Sequence, residues 1–547
     1  MQMRNYMSKV KMTAMSLALI TSTLFIGTSC SDKDDLDATG YSWNVTGNKI
    51  VNIKPERSKF LRNPLQGWNI YTGIGSGMMD NFWDIYDNFD SSEGKVKVSD
   101  YGTTLYIRGA WSDFNPEEGV YIWQDGVNTE PAKRFRMLVN GAKERNLKLA
   151  FTFVVDSRDK HYNFTPDYVR EAGCKGYVTT TGSVQVWSPY PDDPIFQEKY
   201  AKFLQDFAAK YNDPDITNYV SGFGLGKWGE THTLKYWAVD TPNENEKMTE
   251  KEVKYKVFEW ITDLMAKTFT KVPIFINYHR CLLSSSSFDG ANLDDTADLI
   301  DRAVKKGFSL RHDAFGMKQY YKDWERRIAT TYRYQCPFIM EGGWVKSSHG
   351  SSIKGDGYAD YAEVRKGEFD EGKGANVNMM DFRFSSSPQT GETHSWFNSA
   401  FKLVKEFIAD GGYRLYPDKI SLPENASSNG KVVLTHRWSN LGWGYCPTNL
   451  PQWNQKYKVA FALLDKTTEK SVKVFVDPNP EISDWVQGTP HTYKTELTLS
   501  DVTPGQYEWA VGIVDTTKDN AIGIIISARD EYQTEDGWVK LSDVTIK

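Results

Sequence analysis

The chain has 547 residues and a mass of 62.5 kDa, with 65 Lys and Arg against 71 Asp and Glu, a formal net charge of -6 and a pI near 5.9. A composition 40% hydrophobic and 25% charged excludes a disordered or collagen-like chain, and the mild acidity argues against nucleic acid as a partner. Aromatic residues reach 14%, with 18 Trp, 30 Tyr and 28 Phe, a surplus that suits large cores and also a surface on which sugars stack.

The N-terminus carries Arg4, Lys9 and Lys11, then an apolar run from Met12 to Ile26. At about 15 residues the run is short for a membrane span, which takes about 20, and it reads as an export signal. Gly27-Thr28-Ser29-Cys30 places a Cys after small residues. This looks like a bacterial lipobox, with Cys30 as the lipidated first residue of the mature chain. The alternative is ordinary secretion with Cys30 incidental. The following run, Ser31-Asp32-Lys33-Asp34-Asp35, resembles that of surface-exported lipoproteins of the Bacteroides group. The expected organisation is a signal peptide over 1–29 and a polar tether over 30–59. A lipid anchor would hold an otherwise soluble protein in the outer membrane, surface-exposed or facing the periplasm.

From 60 to 415 short apolar strands alternate with amphipathic helices. The predicted strands are Gln66–Ile70, Thr104–Trp111, Leu147–Asp156, Val220–Lys227, Val272–Tyr278, Phe308–Asp313, Pro337–Met340 and Val377–Phe382. Predicted helices span Ala132–Arg145, Phe196–Lys210, Glu250–Phe269, Ala297–Lys306 and Trp396–Ile408; in the second, Phe196, Tyr200, Phe203, Leu204 and Phe207 recur at helical spacing. Thr249 and Glu252 have the spacing of a capping box. Alternating strands and helices in this number imply an α/β fold, a (β/α)8 TIM barrel. An open doubly wound sheet is the alternative, but the glycines at 73, 75 and 77 do not match a dinucleotide fingerprint. After Tyr416-Pro417 the period changes to two, over Lys431–His436, Lys456–Leu464, Ser471–Val476, Thr492–Leu499, Gln506–Val514, Ala521–Ile525 and Trp538–Ile546. Residues 416–547 therefore read as an all-β immunoglobulin-like sandwich, serving as support or as a glycan binder through Trp438, Trp443 and Trp453.

Cys174, Cys281, Cys336 and Cys446 are scattered without a CxxC, and the eight His form no HExxH or HxH. No metal and no other cofactor is expected. The segment Asp289–Asp295 offers oxygen donors but lacks EF-hand spacing.

In a barrel the reaction face lies at the C-terminal ends of the strands. The fourth predicted strand leads through Gly222, Gly224, Gly226 and Gly229 to Glu230, beside Trp228, and the seventh leads to Glu341, followed by Gly342, Gly343 and Trp344. Strands four and seven face each other across a barrel, so two carboxylates there can flank one substrate, the arrangement that glycoside hydrolysis requires. On these residues the chain resembles the barrel glycoside hydrolases that carry an acid on strand four and a nucleophile on strand seven. More closely, it resembles uncharacterised Bacteroides lipoproteins that join a glycosidase-like barrel to a β-sandwich. The strings Arg62-Asn63-Pro64-Leu65-Gln66-Gly67-Trp68, Leu105-Tyr106-Ile107-Arg108-Gly109-Ala110-Trp111 and Phe114-Asn115-Pro116-Glu117-Glu118-Gly119-Val120-Tyr121-Ile122-Trp123 carry that likeness.

The resemblance implies a retaining glycoside hydrolase acting on a poly- or oligosaccharide, with Glu230 as acid/base and Glu341 as nucleophile. Glu230 is expected to have its pKa raised by Trp228 and Glu341. Arg108 or Arg383 is expected to hold Glu341 ionised. A departure from the glycosidase pattern is Gly229, where the acid usually follows Asn; it leaves open a non-catalytic glycan-binding surface lipoprotein. A carbohydrate ligand is expected in either case, met by Trp68, Arg108, Trp111, Trp228, Asn277, Tyr278, His279, His312, Asp313, Trp344, Asp381, Arg383 and Trp396. Arg108, Arg280, Arg311 and Arg383 near strand ends would suit an acidic sugar, although arginines are common at a barrel rim. The anchor gives a first test. Cys30→Ser is expected to release the protein from the membrane fraction; a variant that stays bound and is processed at the same point contradicts it.

Overall fold

The computed structural model describes residues 40–75, 78–158, 160–279, 281–282, 293–318, 320–343, 356–383 and 392–547. The leader with Cys30, the acidic run, Arg280, Trp344 and residues 289–292 lie outside the described residues.

Eight parallel strands close into a barrel. They are β1 (Gly67–Gly73), β2 (Gly102–Ala110), β3 (Lys148–Val154), β4 (Thr217–Ser221), β5 (Ile274–Asn277), β6 (Ser309–Phe315), β7 (Phe338–Gly342) and β8 (Met379–Phe382). β8 pairs in parallel with β1, Met379 opposite Gly67 through Phe382 opposite Ile70, which completes the ring. The major helices around it are α1 (Glu130–Glu144), α2 (Pro194–Tyr211), α3 (Glu250–Thr268), α4 (Leu293–Lys305), α5 (Asp323–Tyr332), α6 (Tyr361–Gly374) and α7 (Phe401–Asp410). Thr249 and Glu252 form the expected capping box at the start of α3.

Strand alternation sorts each side chain to one of two environments. Ile70, Ile107, Phe151, Val220, Ile276, Leu310, Met340 and Met380 face the helices, in one apolar cluster with Leu138, Phe203, Ile261 and Phe369. Tyr71, Tyr106, Ala150, Tyr219, Phe275, Ile339 and Met379 fill the lumen, and that cluster runs on into the C-terminal core.

The C-terminal strands are β9 (Leu415–Pro423), β10 (Lys431–Asn440), β11 (Tyr457–Asp465), β12 (Ser471–Asp477), β13 (His491–Thr498), β14 (Gly505–Asp515) and β15 (Val539–Ile546). One sheet has the order β9-β10-β13, the other β15-β14-β11-β12. These are the A-B-E and G-F-C-C′ orders of an immunoglobulin-like sandwich. Tyr507, near the start of β14, donates its hydroxyl hydrogen bond back to the Thr503 carbonyl at 2.8 Å, the tyrosine corner of that architecture. Strand Asn48–Asn52 adds to the free edge of β9, and Trp43 is buried beneath the Lys419 ammonium. The expected tether over 30–59 is therefore corrected in its second half: an edge strand offers unpaired backbone groups, and Ile50 and Val51 supply the β-prone residues that take them up.

The sandwich closes the base of the barrel. From residue 441 to 456 the chain runs under the N-terminal strand ends. The Trp443 indole donates to Val377 O at 2.9 Å and packs on Phe369 and Phe407. Asn378 donates to Tyr445 O at 2.8 Å and to Leu65 O at 3.1 Å. The Arg62–Trp68 string belongs to the same seal, with Asn63 donating to Ile525 O and Tyr413 donating to Pro64 O. Trp438, Trp443 and Trp453 are all buried, which corrects the reading of them as a glycan-binding loop. Cys174, Cys281, Cys336 and Cys446 are buried and free. Among the described residues no helix is long and apolar enough to cross a membrane.

Trp443→Ala would empty a large site at the junction of barrel and sandwich. It is expected to cost about 3–5 kcal/mol in denaturant unfolding. A change within about 0.5 kcal/mol, the range of a neutral surface substitution, contradicts the seal.

Candidate active site

Period two carries the charged residues of four strands into the top of the lumen. On β2, Arg108 follows lumen-facing Tyr106. On β6, Arg311 and Asp313 share a face. On β7, Glu341 follows Ile339, and on β8, Asp381 follows Met379, with Arg383 one residue past its end.

Glu230 arrives differently. The predicted strand Val220–Lys227 is corrected: β4 ends at Ser221, and a loop carries the chain on to Glu230. Gly222, Gly224, Gly226 and Gly229 in that loop all have φ between +71° and +75°, the left-handed region that breaks an extended run and favours glycine. A Cβ on Gly224 would run into the Phe153 carbonyl and the Tyr200 hydroxyl, and one on Gly226 into the His232 backbone. Gly229 N donates to Gly226 O and Thr231 N to Leu225 O, closing the coil.

The charged groups form one network. Arg108 donates to Glu230 Oε1 at 3.0 Å, to the Tyr71 hydroxyl at 3.1 Å and to the Trp228 carbonyl, and it stands 4.0 Å from Glu341 Oε2. Glu341 is fully buried and accepts hydrogen bonds from both Arg311 and Arg383. Arg311 also donates to Asp381 at 2.7 Å and to Asp313 at 2.6 Å, with its guanidinium over the Tyr106 ring. Asn69 donates to the other Asp381 oxygen at 2.7 Å. Glu230 meets His232 Nε2 at 3.3 Å.

This environment shifts the carboxyls apart. Burial alone would push Glu230 up, but the His232 hydrogen bond and the Arg108 charge outweigh it and hold the group well below the usual carboxylate range. The expectation of a raised value is corrected: Trp228 reaches Arg108 through its backbone carbonyl, and the nearest charge to Glu230 is a guanidinium. Burial pushes Asp313 up to about 8, with Glu341 and Glu230 adding to it and Arg311 and Arg108 opposing. Burial likewise pushes Asp381 up to about 6 against the Arg311 charge.

The network thus collects Glu230, Glu341, Arg108, Asp313, Asp381 and Arg383, with Trp228 at its edge under the Lys227 ammonium. Asn277 belongs to the same lumen face, buried, with Nδ2 lacking a hydrogen-bond partner among the described residues. Four expected ligand contacts are corrected. Trp68 stacks on Phe382 at 4.3 Å and meets Trp396 edge-on at 4.8 Å, both indoles fully buried beneath α7. Trp111 is enclosed by Tyr200 and Phe203, and Tyr278 packs outward on Phe338. The parity of their strands, or the helices beyond the strand ends, turns these rings into the barrel-helix layer.

His279 and His312 lie at the edge of the network, with Glu325 of α5; one ligand atom from each of the three falls within 4.8 Å of the others. The backbone N–H of Ala314 donates to His312 Nδ1, and His312 Nε2 lies 3.1 Å from His279 Nδ1. A neutral His312 that accepts at Nδ1 carries its proton on Nε2. The nitrogen aimed at the trio is therefore a donor, and the group suits a hydrogen-bond relay better than a metal.

Arg311, Tyr71, Asn69 and His232 complete the site without having been picked out as ligand contacts. Arg311 stood out only as a rim cation for an acidic sugar. It is instead buried and occupied by three carboxyls, and Arg108 and Arg383 are likewise engaged. The pairing of Arg311 and Asp313 at i and i+2 was the available signal.

No protein-family model and no curated protein matches the sequence. Among solved structures, the chain is similar to an exo-β-1,4-mannosidase from Opitutaceae bacterium strain TAV5, at 13% identity and a TM-score of 0.35 over 65% of this chain and 62% of that one. It is similar to the catalytic domain of the β-amylase of Paenibacillus polymyxa at 9% identity and a TM-score of 0.38, over 63% of this chain and 98% of that one. With endo-glycoceramidase II from Rhodococcus sp. the identity is 11% and the TM-score 0.34, over 82% and 99% of the two chains. The chain thus spans less than two thirds of the mannosidase.

The lowered Glu230 value carries a stability consequence. A depressed carboxyl stabilises the fold above its unfolded value and loses that contribution as the pH falls through the folded value. Arg108→Met is expected to cost about 3 kcal/mol at pH 7, the order for breaking a largely buried pair. The gap from wild type should narrow as the pH drops below the ordinary Glu value of about 4.3. Urea denaturation at both ends of that window checks this; a gap independent of pH contradicts it.

Proposed function

We propose that the protein is a glycoside hydrolase acting on a poly- or oligosaccharide with retention of configuration, Glu341 serving as nucleophile and Glu230 as the carboxylate across from it. The observation that carries this reading is Arg108, whose one guanidinium lies against both carboxylates, delivered from opposite sides of the barrel. The flanking oxygens are separated by no more than two contact distances and one guanidinium width, inside the about 9.5 Å outer limit of the hydrolytic geometries. Arg311 and Arg383 hold Glu341 in a single orientation, as a nucleophile must be held for attack on an anomeric carbon. Trp228 supplies an apolar face at the rim, and Asn277 Nδ2 a donor for a sugar hydroxyl.

The second reading, glycan binding without turnover, is favoured by one observation: Arg108 and His232 both lie within hydrogen-bond reach of the Glu230 carboxylate and hold it below the usual range, which leaves it no proton for a leaving group. Gly229 adds to it by placing no side chain beside the acid position. In either case we propose an outer-membrane lipoprotein anchored through Cys30, on the reading of the leader.

Glu341→Gln separates the two. A hydrolase is expected to lose several orders of magnitude in kcat while its affinity for the glycan changes little, because the bond to carbon forms only on the path to the transition state. Binding by wild type and variant alike, with no hydrolysis by either across a broad glycan panel, supports the binding protein.

A further inference from the structure

A retaining reaction needs a proton for the departing oxygen, and the strand-four carboxylate is occupied by two hydrogen-bond donors. Resting on the hydrolase reading above, we propose that Asp313, at the upper end of β6, is the acid that protonates the leaving oxygen, with Glu230 remaining a carboxylate beside the cationic carbon.

In the described lumen three guanidiniums, Arg108, Arg311 and Arg383, face four carboxyls, Glu230, Glu341, Asp313 and Asp381. Arg108 serves Glu230 and Arg383 serves Glu341. Arg311 divides itself among Glu341, Asp381 and Asp313, and Asp313 receives only its Nε. One carboxyl thus lacks a cation of its own, and in a buried site such a group keeps its proton.

Position agrees with charge. The Asp313 side chain keeps 7% exposure while Glu341 and Asp381 keep none, so Asp313 is nearest the open end of the three. It shares a guanidinium with Glu341, which bounds its distance from the nucleophile in the way Arg108 bounds that of Glu230. On the adjacent strand Asn277 Nδ2 is buried and has no partner among the described residues, a donor available to an oxygen of the same ligand. The groups acting on Asp313 are Arg311 from its own strand, Glu341 from β7, Glu230 from the glycine loop and Arg108 from β2. Its neighbour His312 turns the other way, to His279. The resulting value of about 8 leaves the carboxyl protonated at neutral pH.

The step balances. The Asp313 hydroxyl gives its proton to the glycosidic oxygen as the bond from that oxygen to the anomeric carbon breaks. The bonding pair leaves with the oxygen, and Glu341 forms the new bond to carbon. Water then attacks that carbon, gives a proton to the Asp313 carboxylate, and releases Glu341.

The test compares Asp313→Asn with Glu230→Gln on two substrate classes. Asp313→Asn is expected to lose about 10²–10⁴-fold in kcat/KM on unactivated glycosides, the usual worth of a general acid, and far less on aryl glycosides with good leaving groups. Its pH profile should also lose the fall in rate on the alkaline side. Glu230→Gln should impair both classes alike. The reverse pattern, with leaving-group dependence confined to Glu230→Gln, overturns the assignment while leaving the hydrolase reading intact. If wild type hydrolyses nothing, that reading fails, and infrared spectroscopy still decides where the proton resides. A protonated carboxyl band at pH 7.5, where groups titrating near 6 such as Asp381 have lost their proton, that disappears on raising the pH through about 8 and is absent from Asp313→Asn, supports the proton on Asp313. A band that persists in Asp313→Asn, or is absent from wild type, overturns it. A thermal melt of each variant shows that it is folded.

Discussion

A carboxylate placed at the centre of a barrel must be met by cations, because desolvating an unpaired charge costs several kcal/mol. Glu341 imposes that constraint here. It lies wholly buried, and guanidiniums from β6 and the end of β8 reach it, with a third from β2 at its side. Those arginines in turn hold Asp313, Asp381 and Glu230. Removing one partner would strand the others, so the upper lumen acts as a single electrostatic unit.

The rest of the architecture keeps that unit at one end. The sandwich and the 441–456 segment close the base, where Trp443, Asn378 and Tyr445 bind barrel to sandwich. The aromatic wealth goes mostly into this seal and into the barrel-helix layer. It leaves the C-terminal strand ends for the charged groups, the face on which barrel enzymes build their sites. The glycine loop after β4 then coils tightly enough to turn Glu230 back toward Arg108.

Much of this was legible in the sequence. Eight apolar runs separated by helical periods gave the barrel, and period-two runs after Pro417 gave the sandwich. Gly-flanked Glu230 and Glu341 pointed to the C-terminal strand ends, and both meet Arg108, but Glu341 lies wholly buried in the lumen and not at a rim. What failed did so for definite reasons. The strand containing Val220 reads as continuous through Phe223 and Leu225, and only the left-handed φ of the intervening glycines reveals a coil. Trp68 and Trp396 looked like sugar platforms because composition cannot say which side of a strand faces a helix. Strand Asn48–Asn52 was hidden in a polar stretch, since its stability comes from the edge of β9, more than 350 residues away. Arg311 and His232 matter through partners that sequence spacing does not bring together.

The central claim is that Glu341 is the nucleophile of a retaining hydrolase. It is tested most directly by trapping the glycosyl-enzyme with a panel of activated 2-deoxy-2-fluoroglycosides and locating the adduct by peptide mass spectrometry. The account predicts one adduct, on Glu341. An adduct on another carboxylate, or hydrolysis of a natural glycan with inversion and no adduct, would contradict it.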